Sequence, residues 1–187
     1  MTGLNNQVRI IGGRWRGRRL RFPPLEGLRP TPDRVRETLF NWLAPVIEGA
    51  CCLDLFAGSG ALGIEALSRG AAEVVLVERH PLAVRQLREN LALLGMDSAQ
   101  VIQADALSWL RRRAQAFDIV LLDPPFGGKL LVPVCAALEQ DGWLAANARI
   151  YLETESALQD LELPQNWTLV RDKTAGQVSY RLAVRNA

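Results

Sequence analysis

Four acidic residues stand where apolar runs stop: Asp54 within CCLDLF, Glu78 at the end of EVVLVE, Asp105 after VIQA and Asp123 after FDIVLL. An ionised carboxylate at the edge of an apolar run is costly unless something satisfies it, so each of the four asks for a partner. Just past Asp54, Gly58-Ser59-Gly60-Ala61-Leu62-Gly63 reads GxGxxG, between an apolar run and a helical pattern. That spacing lets a nucleotide-type cofactor approach the backbone at the glycines. Glu78 lies twenty residues beyond Gly58, where an acid can accept hydrogen bonds from ribose hydroxyls. Asp105 suits a helix N-cap, an adenine contact, or both. Asp123 leads into Pro124-Pro125-Phe126. Prolines cannot donate to a ladder, so the strand must end there, with a carboxylate and an aromatic ring at its tip.

The elements that carry these acids alternate. Strands are expected over residues 51–56, 73–77, 100–103, 117–122 and 149–153, and helices over 60–68, 81–94, 105–112 and 131–139. The helix over 81–94 shows the stripe Val84, Leu87, Leu91 and Leu94 and is stopped by Gly95. Two last segments, 167–173 and 177–184, flank Thr174-Ala175-Gly176 and read as a hairpin. Such alternation implies a parallel sheet with helices on both faces, and in such sheets ligands bind at the carboxyl ends of the strands near the switch point.

Ahead of this core the charge is uneven. Residues 1–36 hold nine arginines against Glu26 and Asp33, a balance of +7, within a chain of net charge +2. The remainder is therefore at −5, and an arginine-rich arm on a mildly acidic body points to a polyanionic partner. Val8-Arg9-Ile10-Ile11, Gly12-Gly13 and Arg14-Trp15-Arg16-Gly17-Arg18-Arg19-Leu20-Arg21-Phe22 suggest two strands around a glycine turn, with guanidinium groups on one face. Arginine suits RNA, because its planar fork binds phosphate and stacks on bases. A helix follows, with Thr31 as N-cap, Pro32 at its first position, Asp33 complementing the dipole, and Val35, Leu39, Trp42 and Leu43 on its apolar face.

Composition removes other classes. The chain of 187 residues is 49% apolar and 22% charged, the balance of a soluble globular protein with room for one main core. No apolar run reaches membrane-span length and the first residues do not form a leader, so a cytoplasmic protein is expected. Cys51, Cys52 and Cys135 contain no CxxC and read as buried reduced thiols; with the lone His80 they offer no metal set.

Taken together, the strand ends LDLFAGSG, VERH, ADA and DPPF resemble those of the class I S-adenosylmethionine-dependent methyltransferases, and DPPF the signature of those that methylate an exocyclic amine of a nucleobase. RIIGGRWRGRRL, RPTPDRVRETLFNWL and AGQVSYRL further resemble the bacterial 16S rRNA (guanine-N2) methyltransferase family, over residues 8–184. That resemblance implies a Rossmann-like α/β fold: a mostly parallel seven-stranded sheet, helices on both faces, a C-terminal antiparallel hairpin and an N-terminal β-hairpin extension. It implies S-adenosylmethionine as cofactor and guanine 966 of 16S rRNA, within the small ribosomal subunit, as substrate for a monomeric enzyme. It makes Asp123, Pro124, Pro125 and Phe126 catalytic, with Asp123 accepting a hydrogen bond from the amine and Phe126 stacking on the base. Cofactor contacts fall to Thr31, Arg34, Asp54, Phe56, Ala57, Gly58, Ser59, Gly60, Glu78, Arg79, Asp105, Ala106 and Asp123. Arg14, Arg16, Arg18, Arg19 and Arg21 would face RNA.

The expected division is a basic hairpin extension over residues 1–30 and a methyltransferase domain over 31–187. Three other readings remain. A DNA adenine-N6 methyltransferase shares the DPPF chemistry but needs a sizeable target-recognition domain. A non-catalytic RNA-binding assembly factor fits the arginines but not an intact cofactor loop. A nicotinamide enzyme fits GxGxxG and Glu78 but needs a substrate domain and a catalytic His or Lys.

Overall fold

The computed structural model describes residues 6–125, 129–158 and 161–186. In chain order the elements are β1 (Gln7–Arg9), β2 (Arg19–Arg21), α1 (Asp33–Leu43), β3 (Cys51–Asp54), α2 (Ala61–Ser68), β4 (Glu73–Glu78), α3 (Pro81–Leu94), β5 (Ala99–Gln103), α4 (Ala106–Leu110), β6 (Phe117–Leu122), α5 (Leu131–Gln140), β7 (Leu144–Glu155), β8 (Trp167–Ala175) and β9 (Val178–Arg185). The seven long strands form one sheet in the order β5-β4-β3-β6-β7-β9-β8. β5 through β7 are parallel; β9 runs antiparallel between β7 and β8. This is the expected α/β architecture with its C-terminal hairpin.

Period-two alternation divides the core between the two faces. Val74, Leu76, Ile119 and Leu121 pack with α1, α2, α3 and the N-terminal hairpin. Val75, Val77, Val120 and Leu122 pack with α4 and α5. The order reverses between β3, which pairs with β4 on one side, and β6, which pairs with β7 on the other. Asp54 and Asp123 therefore leave the sheet from adjacent strands at the switch point.

Helix α3 has the bounds its pattern predicts. His80 caps it by accepting the Leu82 N–H at 3.2 Å, Pro81 occupies the first position, and Gly95 ends it. β7 is longer than expected. It begins at Leu144, but Asn147 has φ 59° and the register against β6 shifts between Phe117 and Ile119, so its first half carries no clean alternation to read.

The N-terminal hairpin departs from expectation in its turn. The strands β1 and β2 are three residues each, paired Gln7↔Arg21, Val8↔Leu20 and Arg9↔Arg19. Arg9, Arg19 and Arg21 are exposed while Val8 and Leu20 are buried, so the strand arginines do share a face. Gly12-Gly13 makes no tight hairpin turn; it docks on α2. Ile11 and Gly12 donate their N–H groups to Glu65 at 2.9 and 2.8 Å, and Arg14 donates to the Ser68 carbonyl at 2.7 Å. Gly13 has φ +74°, and a Cβ there would lie 1.6 Å from the Ser68 carbonyl oxygen, which only glycine avoids. The buried Glu65 also pairs with Arg36 at 3.4 Å and Arg69 at 2.8 Å. One carboxylate thus fastens hairpin, α1 and α2 together.

Candidate active site at the carboxyl ends of the sheet

The glycine loop leaves β3 and enters α2 under constraint from both sides. The Asp54 carboxyl, 1% exposed, accepts the Gly63 N–H at 2.8 Å. Gly60 has φ +79°, and a Cβ there would stand 2.5 Å from Leu87 and 2.8 Å from Ile64; at Gly63 it would meet Leu76 at 2.7 Å. The first and last residues of the motif's tail are therefore glycine for turn and packing. Burial pushes the Asp54 carboxyl up to about 7, and the Glu78 charge adds to this while the Gly63 N–H opposes it. Ala57 and Ser59 are buried within the loop, and Phe56 is half-buried against the core cluster that includes α4 and α5.

Glu78 reaches back across the strand ends. One carboxylate oxygen accepts the Gly58 N–H at 2.9 Å and the other the His80 N–H at 2.6 Å. Asp105 caps α4 by accepting the Ser108 N–H at 3.0 Å, and its carboxyl group is exposed, with Ala106 buried behind it. Arg79 and Arg34 are exposed.

At the end of β6, Pro124 is buried and Pro125 exposed, and Phe126 lies outside the described residues. Asp123 has a neighbour that its sequence context did not reveal. Thr31 is not an N-cap: Pro32 occupies that position and α1 has no side-chain cap. The Thr31 hydroxyl instead lies 3.4 Å from Asp123 Oδ2 and 3.5 Å from Glu153 Oε2. Tyr151 donates to the same Glu153 oxygen at 2.9 Å. Burial, then the charges of Glu153 and Asp54, hold the Asp123 carboxyl well above the usual carboxylate range, against the Thr31 hydrogen bond. Burial also raises Glu153, with Tyr151 and Thr31 opposing. Glu153 stands inside β7, two residues before its end, and nothing beside it in the sequence marked it.

Beside Thr31 the hairpin and α1 enclose a cleft of about 380 Å³, lined among others by Val8, Arg9, Arg19, Phe22 and Asp33. Arg14, Arg16, Arg18, Arg19 and Arg21 are all exposed, with Arg14 stacked over Trp15 at 4.8 Å. Arg14, Arg16 and Arg18 stand in the loop rather than on the strands.

The donor set fits a nucleoside-bearing cofactor. A turn with Gly58 at φ +51° leaves backbone close to the surface, and the Glu78 carboxylate sits at that backbone. A second acid, Asp123, faces the same end of the sheet from the adjacent strand. Among the described residues no group of three or more His, Cys, Asp or Glu is placed to hold a metal ion, and no helix is long and apolar enough to cross a membrane.

Comparison with known proteins agrees over nearly the whole chain. A family model described as conserved hypothetical protein 95 matches residues 8–184. Ribosomal RNA small subunit methyltransferase D of Escherichia coli K12 is 54% identical over 183 residues, 98% of this chain and 92% of that protein. The protein of the same name from Haemophilus influenzae is 50% identical, over 94% of this chain and 93% of that one. The solved structure of yhhF from Escherichia coli matches with a TM-score of 0.92 at 52% identity, covering 97% of this chain and 99% of that one.

Proposed function

The chain belongs to the family described as conserved hypothetical protein 95, and we propose that within it this protein is an rRNA methyltransferase that transfers a methyl group from S-adenosylmethionine to the exocyclic N2 of a guanine in small-subunit ribosomal RNA, guanine 966 of 16S rRNA. The observation that carries the reading is Asp123, a carboxyl acceptor at the switch point beside the Glu78-latched glycine loop. The names of the relatives support ribosomal RNA of the small subunit as substrate.

S-adenosylmethionine supplies an electrophilic methyl group on a sulfonium centre. The chain's part is to hold and to polarise. Gly58, Ser59 and Gly60 offer backbone, Glu78 accepts from ribose hydroxyls, Asp105 and Ala106 flank the adenine, and Asp54 with Thr31 and Arg34 holds the methionine end. A guanine N2 is a weak nucleophile because its lone pair is delocalised into the ring. Asp123 and the Pro124 carbonyl each accept one of its N–H bonds, which favours the tetrahedral, electron-rich nitrogen that attack requires. An acceptor whose hydrogen bond strengthens as charge develops lowers the barrier rather than only tightening binding. Phe126 stacks on the base, which must be extruded from any helix to reach the site. The cleft beside the hairpin is lined by Thr31 and by Arg9 and Arg19, and the exposed arginines of the hairpin hold the flanking phosphates. The substrate is an assembled or partly assembled 30S particle, and the enzyme works in the cytoplasm.

Incubation with tritiated S-adenosylmethionine and, separately, unmodified small subunits, naked 16S rRNA and DNA tests this. Label in N2-methylguanosine from the particle is expected. Label in DNA, or none in RNA, would overturn the reading.

A further inference from the structure

The Thr31 hydroxyl carries one proton and has two carboxylate neighbours, Asp123 at 3.4 Å and Glu153 at 3.5 Å. It can donate to only one of them at a time. Its place is fixed from behind, because the buried Arg36 donates to the Thr31 carbonyl at 3.0 Å. Glu153 is 4% exposed and takes its other hydrogen bond from Tyr151. The groups facing this cluster are Asp54 from β3, Tyr151 from β7, Tyr180 from β9 beyond Tyr151, and Thr31 from the segment before α1. The cation that touches the edge of the cluster is Arg36 of α1, at the Thr31 carbonyl, and its ion pairs go to Asp33 and Glu65, so among the described residues neither acid takes part in an ion pair. Glu153 is buried and Asp123 half-buried, so two ionised carboxylates beside one hydroxyl repel each other with reduced screening, and one proton is retained on the pair.

We propose that Glu153 is a positioning residue for methyl transfer: with Thr31 it holds Asp123 in a two-acid cluster that carries one shared proton at rest, and only the form that has released this proton accepts the substrate amine. The inference rests on the reading of Asp123 as the amine acceptor. It also gives the amine's own proton a destination. As the nitrogen bonds the methyl group, the methyl–sulfur bond breaks with its electron pair going to sulfur, and one N–H bond breaks with its electron pair staying on nitrogen. The proton passes to an Asp123 oxygen, and the cluster goes from two negative charges to one. That restores the resting state, and the next turnover begins when this proton leaves to solvent water.

Two substitutions move the cluster in opposite directions. Glu153→Gln removes the charge that disfavours ionised Asp123, so Asp123 should lose its proton at lower pH. Thr31→Val removes the donor that favours ionised Asp123, so loss should require higher pH. Shifts of roughly one pH unit each are expected. Carboxyl carbon-13 NMR of the free protein, with Asp123→Asn assigning the resonance, reads this without substrate. The acid limb of kcat/KM on small subunits should move the same way, while S-adenosylhomocysteine affinity of Glu153→Gln stays within a few-fold of the parent. An Asp123 titration unmoved in both variants would overturn the proposal, and so would titrations that shift while the acid limb stays still. Failure of Glu153→Gln to fold would leave Thr31→Val to decide in the same two readouts. If the NMR shifts appear and the parent protein labels no RNA, the shared proton stands and the assigned substrate falls.

Discussion

Glu78 and Gly58 are joined by a hydrogen bond of 2.9 Å that runs from the glycine loop back to the end of the next strand. The same carboxylate holds the His80 N–H at 2.6 Å, so it is oriented before any ligand arrives. Glu78→Ala should weaken S-adenosylmethionine and S-adenosylhomocysteine alike, because both carry the same ribose. A charged acceptor hydrogen bond is worth about 1.5–3 kcal/mol, a loss of roughly tenfold to a hundredfold in affinity. Calorimetry with both ligands checks this; an unchanged dissociation constant for either contradicts the role.

Asp123→Ala separates chemistry from cofactor binding. Its carboxyl faces Thr31 and the neighbouring acids, with no bond to the glycine loop. Cofactor affinity should therefore stay within a few-fold, while single-turnover methyl transfer falls by roughly 10²–10³, the usual cost of removing a group that acts on developing charge. Equal losses in both measurements would make Asp123 a structural support of the pocket.

The sheet was legible because its signals are local. Pro81 and Gly95 bracket an apolar stripe, and Phe117–Leu122 is an apolar run ended by prolines. The four acids at strand ends were readable for the same reason. Thr31 and Glu153 were not, because what they do is set by distance in space: Thr31 meets Asp123 across 92 residues of chain and Glu153 across 122. In local terms Thr31-Pro32-Asp33 is a good helix start, and tertiary contacts overrode that reading. Glu65 shows the same limit. It lies in the second turn of α2 with nothing nearby to mark it, yet it takes two N–H groups from a hairpin more than fifty residues upstream.

A stability prediction follows from Glu139. It accepts from Arg185 through both oxygens at 2.9 Å, and from Trp167 and Asn166 at 2.8 Å, tying α5 to the C-terminal hairpin. Arg185 lowers its carboxyl to about 2, against burial and with help from Trp167 and Asn166. A folded-state value below the unfolded one means stability present above the ordinary carboxylate range and lost as pH falls towards 2. Glu139→Gln should cost about 1–2 kcal/mol at neutral pH, a modest figure because the pair is partly exposed. The deficit should shrink on acidification. Urea unfolding at pH 7, 4 and 2.5 measures it; a constant deficit would assign the loss to packing.

The basic hairpin shares the core of the protein, which decides how it must be tested. Val8, Ile10 and Leu20 are 6%, 2% and 1% exposed and belong to the cluster that holds α1, α2 and α3. Deleting residues 8–22 would strip apolar cover from that face and leave Glu65, Arg36 and Ser68 without their hairpin partners. Truncation should therefore lower stability by several kcal/mol and impair cofactor binding along with methylation. The RNA role is read instead from Arg14, Arg16, Arg18, Arg19 and Arg21, whose side chains are exposed. Replacing Arg16, Arg18 and Arg19 with alanine should leave the melting temperature and S-adenosylhomocysteine affinity near those of the parent, and raise the KM for small subunits. The dependence of RNA binding on salt should also become shallower, by roughly one unit of log–log slope for each phosphate that is no longer neutralised. Methylation and binding at two salt concentrations give both readouts. An unaltered KM and salt slope would show that these arginines are a solvated edge and that RNA is gripped elsewhere.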